Sequence, residues 1–370
     1  DEYQKPIHEI SVQHCKESTD PVIISASVGA GKTLSIAALA KHVNDLGGSV
    51  LVLSRQGEII ESNSKMAWRC GLKNSVYSAS LNSRSTFYPT VFATEGTISR
   101  SLNDEFKDRK FDLMLIDEAQ HLDPIDLAEA LDPKSTNSEY TQYTKIVCHF
   151  KMLNPKMRII GYTGSPYRGK EDIIGGFWKK TIYQVSTMYL VGLGYLVPPT
   201  FGFGDDLHKY DLSEWTPDQS TDSASDFSGK ELQAMQRQIL KEKQVTQIIM
   251  EEVIEITKSR GGVLITCAGK KHCEQVSEYL PDGSWAIVTD STSTKNRRQA
   301  LIDAREGKIK FVLQIGCLTT GINIPPWDTS VILRRIGSLT LLTQLTGRVL
   351  RILEQEILYV LKTHQLYWNQ

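Results

Sequence analysis

"PVIISASVGAGKTLSIA", residues 21–37, decides how the rest of the chain is read. The apolar run Val22-Ile23-Ile24 predicts a buried strand, and the residues from Lys32 onward predict a helix. Between them, Ala26-x4-Gly31-Lys32-Thr33 fits a P-loop pattern, with Ala26 where glycine is more usual. In that setting the backbone N–H groups of Val28, Gly29, Ala30 and Gly31, with the helix start, attract phosphate oxygens. Lys32 neutralises the terminal phosphates, and Thr33 offers a hydroxyl to Mg2+. The bland alternative is a glycine-rich turn with a surface lysine; the flanking strand and helix weigh against it.

A phosphate loop of this kind needs a carboxylate at the end of a neighbouring strand to hold the metal through its water shell. The run Leu113-Met114-Leu115-Ile116, ending in Asp117-Glu118-Ala119-Gln120, supplies one. Asp117 is the candidate for Mg2+, and Glu118 the candidate base for the attacking water. Adjacent acids after a strand also suit a helix cap with a first-turn acid. Their pairing with the loop at Lys32 favours the catalytic reading.

Outward from these two motifs, short β-branched runs alternate with helix-like stretches. VIISAS (22–27), SVLVLS (49–54), TVFAT (90–94), FDLMLID (111–117) and MRIIGYTG (157–164) predict strands of a parallel sheet covered on both faces. After Pro198-Pro199 the composition changes. Residues 204–229 are polar, acidic and rich in Ser and Asp, which predicts a linker or mobile loop. One helical stretch from Lys230 to about Ser259 then leads into GVLITCA (262–268), WAIVTD (285–290), IKFVLQIG (309–316) and TSVILRR (329–335). The expected division is a first domain over 1–190, a connecting segment over 191–235 and a second domain over 236–370.

Bulk composition fits this picture. The chain has 370 residues, 40% hydrophobic and 23% charged, with 42 basic and 43 acidic residues and a net charge of -1. That length suits two domains, and the charge gives no global argument for nucleic acid, so any basic track must be local. The apolar runs are strand-sized, too short to span a bilayer. DEYQKPIHEI at the start shows no basic-then-apolar leader, and a chain beginning at Asp1 is expected to lack its first residues. Six scattered cysteines without a C-x-x-C pair argue against a metal site or disulfide framework, and for reduced thiols in a cytoplasmic protein.

With these residues in order, the chain resembles the superfamily 2 helicases, the DEAD/DEAH-like motors. DEAQ (117–120) stands where that family has its Asp-Glu-x-x box, and Thr163-Gly164-Ser165-Pro166 with Arg168 resembles the motif that couples hydrolysis to domain closure. Gly164 and Ser165 depart from the family's usual Ala-Thr. Leu318-Thr319-Thr320-Gly321-Ile322-Asn323-Ile324-Pro325 resembles the motif preceding the last strand pair, with Asn323 where Asp is common. Gln344-Leu345-Thr346-Gly347-Arg348-Val349-Leu350-Arg351 matches the Gln-x-x-Gly-Arg-x-x-Arg signature, and Tyr3-Gln4 occupies the place of an element whose glutamine reads adenine. Within the superfamily, GYLVPP (194–199), GGVLITCA (261–268) and LTTGINIP (318–325) are similar to the RadD-like bacterial DNA-repair ATPases.

The resemblance implies two tandem RecA-like α/β domains, each a mostly parallel sheet covered by helices, with an ATP cleft between them. It implies ATP and Mg2+ as cofactors, with Gln4, Gly321 and Asn323 joining the loop around the nucleotide. Thr163, Ser165 and Arg168 would couple the halves. Arg348 and Arg351, one turn apart on a helix predicted over 338–350, would stabilise transferring charge, and Gln344 would place the attacking water. The alternative for the arginines is a solvated basic helix face. Nucleic-acid contacts are implied at Ser54, Arg55, Thr94, Thr97, Ser99, Thr289 and Thr292, where hydroxyls suit a backbone track and helix caps equally well. The implied partner is DNA, single-stranded or branched, with single-strand-binding protein or recombinase as further partners and no membrane. An RNA helicase, a restriction-type translocase and a P-loop switch without nucleic acid remain the alternatives.

Overall fold

Every residue of Val22–Ala26, Val50–Ser54, Thr90–Thr94 and Leu113–Asp117 is buried, so these strands are covered on both faces. In a computed structural model of the chain they form the centre of an eight-stranded sheet. The structure describes residues 3–132, 134, 139–168, 171–200, 208–216, 226–316, 318, 324 and 327–351. The chain divides into two compact units, Asp1–Ser186 and Thr187–Gln370.

The first unit opens with helix α1 (Gln4–Glu17), followed by β1 (Val22–Ala26), α2 (Lys32–Asp45), β2 (Val50–Ser54) and α3 (Gly57–Arg69). Strands β3 (Ser75–Ser78), β4 (Ser83–Arg84) and β5 (Thr90–Thr94) precede the single-turn helix α4 (Glu95–Ile98) and β6 (Leu113–Asp117). Helices α5 (Pro124–Ala130) and α6 (Gln142–Leu153) lead to β7 (Arg158–Thr163), the short pair β8 (Tyr167–Arg168) and β9 (Glu171–Asp172), and β10 (Lys180–Val185). The sheet order is β10-β1-β7-β6-β2-β5-β3-β4, with every pairing parallel except β3 with β4. Helix starts carry their expected signals. Asp123 caps α5 by accepting from the N–H groups of Ile125 and Asp126, ahead of Pro124 at the first position, and Thr141 caps α6.

Register brings the motifs to one edge. Ser54 pairs with Thr94, Leu53 with Ile116, Asp117 with Tyr162, and Ser25 with Thr163. The ends of β1, β2, β5, β6 and β7 therefore share the carboxyl edge of a parallel sheet, where open α/β folds place their ligands.

The second unit contains α7 (Thr187–Gly192), α8 (Gly229–Ile239), α9 (Lys243–Ile256), β11 (Gly262–Thr266), α10 (Lys270–Ser277) and β12 (Trp285–Val288). Helix α11 (Thr294–Arg305), β13 (Phe311–Gln314), β14 (Trp327–Ile332) and α12 (Leu339–Thr346) complete it. Its sheet is all parallel, ordered β12-β13-β11-β14. The helix expected from Lys230 to Ser259 is two, because the chain turns through Leu240–Glu242 before α9 begins.

The acidic segment read as a linker is packed where it is described. Tyr210, Leu212 and Phe227 join the core of the second unit. His208 bonds Glu252 of α9 through its backbone N–H at 3.1 Å and its Nδ1 at 2.6 Å. At the far end Asp226 receives the Arg334 guanidinium through both oxygens and the Gly337 N–H at 3.0 Å. The expected helix over 338–350 is shorter. It ends at Thr346 with Gly347 as its C-cap, and the N–H groups of Arg348 and Val349 turn back to the carbonyls of Leu345 and Thr346. Arg348 and Arg351 therefore lie beyond the helix, not one turn apart on it.

Candidate nucleotide site

The loop after β1 is fixed at both ends. The Ser27 N–H donates to the Val185 carbonyl at 3.0 Å, the Ala30 N–H to the Ser27 carbonyl at 3.1 Å, and Gly29 and Gly31 take φ of 89° and 69°. Gly31 is the N-cap of α2, whose start has no side-chain cap and no acidic residue in its first turn. A helix start left in this state is an anion site by dipole and by unmet N–H groups. The buried Ser27 hydroxyl, also without a partner among the described residues, adds a further polar group in the same loop. Lys32 lies on the loop's own rim, its Nζ 3.1 Å from the Ala26 carbonyl. The Gln4 amide rests against Gly31, where a β-carbon would collide with it, so the adenine-reading candidate sits beside the loop.

The acids of DEAQ stand across from that lysine. Asp117 is buried, and its carboxyl is raised above the ordinary range first by desolvation and then by Glu118; Lys32 and a hydrogen bond from Asn63 oppose the rise. Glu118 takes a left-handed backbone (φ 56°), and its N–H donates to Asp117 Oδ1 at 3.0 Å. Such a conformation in a non-glycine residue is a strained one that marks functional turns.

From Glu118 a chain of bonds runs to the next strand. Gln120 Nε2 donates to Glu118 Oε2 at 2.8 Å, Thr163 Oγ1 donates to Gln120 Oε1 at 2.6 Å, and the Ser165 N–H donates to Thr163 Oγ1 at 3.0 Å. Gly164 lies against the loop: a β-carbon there would be 3.3 Å from Lys32 Nζ and 3.4 Å from the Ala26 carbonyl. Alanine, usual at this place in the family the sequence resembles, would crowd this loop. The structure thus brings together Gln4, Val28, Gly29, Ala30, Gly31, Lys32, Thr33, Asp117, Glu118, Thr163 and Ser165 at one strand edge. The side chain of Arg168, and all of Gly321 and Asn323, lie outside the described residues.

The expected nucleic-acid contacts divide. Arg55 is exposed and 3.6 Å from the Glu95 carboxylate, and Ser99 is half-buried. Thr94 and Thr97 are buried and bonded to one another at 2.8 Å, and Thr97 also accepts from the Ala79 N–H. The Ser54 hydroxyl is buried without a partner among the described residues. In the second unit Thr292 accepts from the Thr289 N–H at 2.9 Å, a turn cap of the bland kind. Gln344 and Arg348 are buried there, and burial pulls the Arg351 guanidinium down from its ordinary value, so neither arginine is on a solvated face.

Asn63 is the residue that sequence reading passed over. It is fully buried on α3, and its Nδ2 donates to Asp117 Oδ2 at 2.9 Å. The signal was present: Ile59, Ile60, Asn63, Ser64 and Ala67 form the inward stripe of that helix, and an amide on such a stripe needs a reason.

Two family profiles match the chain in succession. "Type III restriction enzyme, res subunit" covers residues 1–168, and "Helicase conserved C-terminal domain" covers 242–353. A Saccharomyces cerevisiae protein described as an ATP-dependent helicase, IRC3, is 20% identical over 366 residues, covering 95% of this chain and 49% of its own. A fragment of an HsdR subunit of a type I restriction enzyme from Vibrio vulnificus superposes with TM-score 0.65 at 16% identity, over 95% of this chain and 61% of that one. Saccharomyces cerevisiae Dbp5, bound to RNA and ADP BeF3, superposes with TM-score 0.58 at 13% identity, over 94% and 79%. The chain thus spans about half the length of IRC3. The superpositions show the fold of two tandem RecA-like domains. The two profile matches, one in each unit, are similarities to the superfamily 2 helicases.

Proposed function

We propose that this chain is the motor of a nucleic-acid-stimulated ATPase that moves along or remodels DNA, in the RadD-like, DNA-repair branch of the superfamily. The observation that carries the reading is the bonded line Glu118–Gln120–Thr163–Ser165 beside the Lys32 loop. It joins the proposed base of hydrolysis to the end of β7. Phosphates of ATP would lie on the N–H groups of residues 28–33 and on Lys32, with adenine read by Gln4. Mg2+ held by the Thr33 hydroxyl and, through water, by Asp117 would neutralise charge on the phosphates.

In this mechanism Glu118 takes the proton of the attacking water, and Gln120 fixes the carboxylate that takes it. Arg348 and Arg351 would stabilise the charge of the transferring phosphoryl group, with Gln344 orienting water. Gly321 and Asn323 complete the nucleotide's surroundings. Loss of the shared phosphate after hydrolysis releases the two units, and a strand gripped by both is displaced. Arg55 and Ser99 are the accessible contacts to the nucleic-acid backbone on the first unit. Among the described residues no helix is long and apolar enough to cross a membrane.

The test is ATP turnover with single-stranded DNA, duplex, forked DNA and RNA at one ionic strength, since unequal salt would swamp the comparison. Stimulation by DNA forms over RNA supports the reading. Stimulation by RNA alone makes the chain an RNA motor, and no stimulation by any nucleic acid makes it a switch. Co-purification with single-strand-binding protein or a recombinase tests the repair assignment separately.

A further inference from the structure

The carboxylate of Asp117 is held at both oxygens before any ligand arrives. The Glu118 N–H takes Oδ1, and the Asn63 amide takes Oδ2 from a different element, helix α3. Asn63 is fully buried and its own Oδ1 has no partner among the described residues. Half-satisfying a buried amide is costly, and replacing it with a shape-matched apolar residue would avoid that cost. Among the described residues the amide's N–H2 has one acceptor, Asp117, so the orientation of that carboxylate is the structural result of keeping Asn63 there.

We infer that Asn63 is a positioning residue for metal binding: it fixes the Asp117 carboxylate so that the remaining lone pairs face the Lys32–Thr33 loop. The inference rests on the reading of Asp117 as the carboxylate that holds Mg2+ through water. Outer partners of this type commonly govern metal affinity through the group that they orient. Asn63 touches neither nucleotide nor metal, and its contribution is the preset direction of Asp117. Without the amide, the carboxylate must be ordered at each binding event, which weakens the Mg2+-dependent part of nucleotide affinity and leaves the rest.

The experiment is calorimetric titration of ADP into wild type, Asn63→Ala, Asn63→Asp and Asp117→Ala, each with excess Mg2+ and with the metal chelated. The expected result is that Asn63→Ala and Asn63→Asp keep the metal-free ADP affinity while the gain on adding Mg2+ falls about tenfold. Asp117→Ala removes that gain entirely. An unchanged gain in both Asn63 variants overturns the inference. Loss of the metal-free affinity together with the gain also overturns it, because the amide is then supporting the loop as a whole. If Asp117→Ala keeps the full gain, the assignment of Asp117 itself fails, an outcome distinct from failure at Asn63.

Discussion

Thr163 Oγ1 stands 2.6 Å from Gln120 Oε1, so the hydroxyl at the end of β7 and the amide of DEAQ form one bonded unit. The same Gln120 steadies Glu118 through its nitrogen, at 2.8 Å. One hydroxyl proton must choose between Gln120 and the Ser165 carbonyl, which lies 3.0 Å away. A change in the chain after β7 can therefore be felt at Glu118 without any large movement.

Thr163→Val keeps the shape of the side chain and removes the hydroxyl. Turnover at saturating ATP is expected to fall about tenfold, equivalent to roughly 1.4 kcal/mol of barrier, with ATP affinity little changed. Steady-state kinetics check this. A variant with raised KM and unchanged kcat would assign Thr163 to nucleotide binding and remove the coupling role.

Lys32→Ala takes away the cation beside the loop. Hydrolysis is expected to drop by about 10^2- to 10^3-fold, the scale seen when a group stabilising transition-state charge is lost. Nucleic-acid binding measured without nucleotide should persist, which separates a damaged ATP site from a misfolded protein.

In the second unit, burial pulls the His272 imidazole down to about 4. The ring accepts the Ala268 N–H at 3.2 Å and faces the Tyr210 hydroxyl at 3.3 Å. The unfolded chain binds a proton near pH 6.5 and the folded one does not until about 4. The neutral ring's contribution is thus complete above 6.5 and is lost as pH falls through that window, by about 3 kcal/mol in all. Thermal unfolding of wild type and His272→Gln, measured from pH 7.5 to 4.5, should show a gap that narrows towards acid. A gap constant with pH would contradict the assignment.

Arg334 is buried with its guanidinium on Asp226, and Asp226 also holds the Gly337 N–H ahead of α12. Asp226→Ala leaves that cation without its partner and should cost about 3–5 kcal/mol in the second unit. Denaturant unfolding of the second unit reads it directly. A loss below about 1 kcal/mol would mean that the pair is solvated and weak in the manner of surface bridges.

Much of this site was legible because its chemistry is local. A strand, a glycine-bearing turn and a lysine at a helix start occupy fewer than twenty residues, and the strand before DEAQ is continuously apolar. The strand β10 was missed because it lies at the sheet edge, half exposed, and Lys180 with its polar residues blurs the pattern of a buried parallel strand. The helix over 338–350 was overextended because Gly347 gives no sequence sign distinguishing a helical glycine from a stop; the chain turns there towards Leu196 and Val197. Hydroxyls at 54, 94 and 97 read equally as caps or contacts, and only burial separates them. Asn63 and Asp117 are 54 residues apart, a separation over which sequence spacing carries no information.

The central proposal is that Lys32 and the arginines at 348 and 351 act on one triphosphate. The direct measurement is the affinity of Arg348→Ala for ADP with and without aluminium fluoride, which completes a mimic of the transferring phosphoryl group. The account predicts that wild type gains affinity on adding the fluoride while the variant gains little, both binding ADP alone equally. An Arg348→Ala variant that retains the full gain, alone and combined with Arg351→Ala, would contradict it.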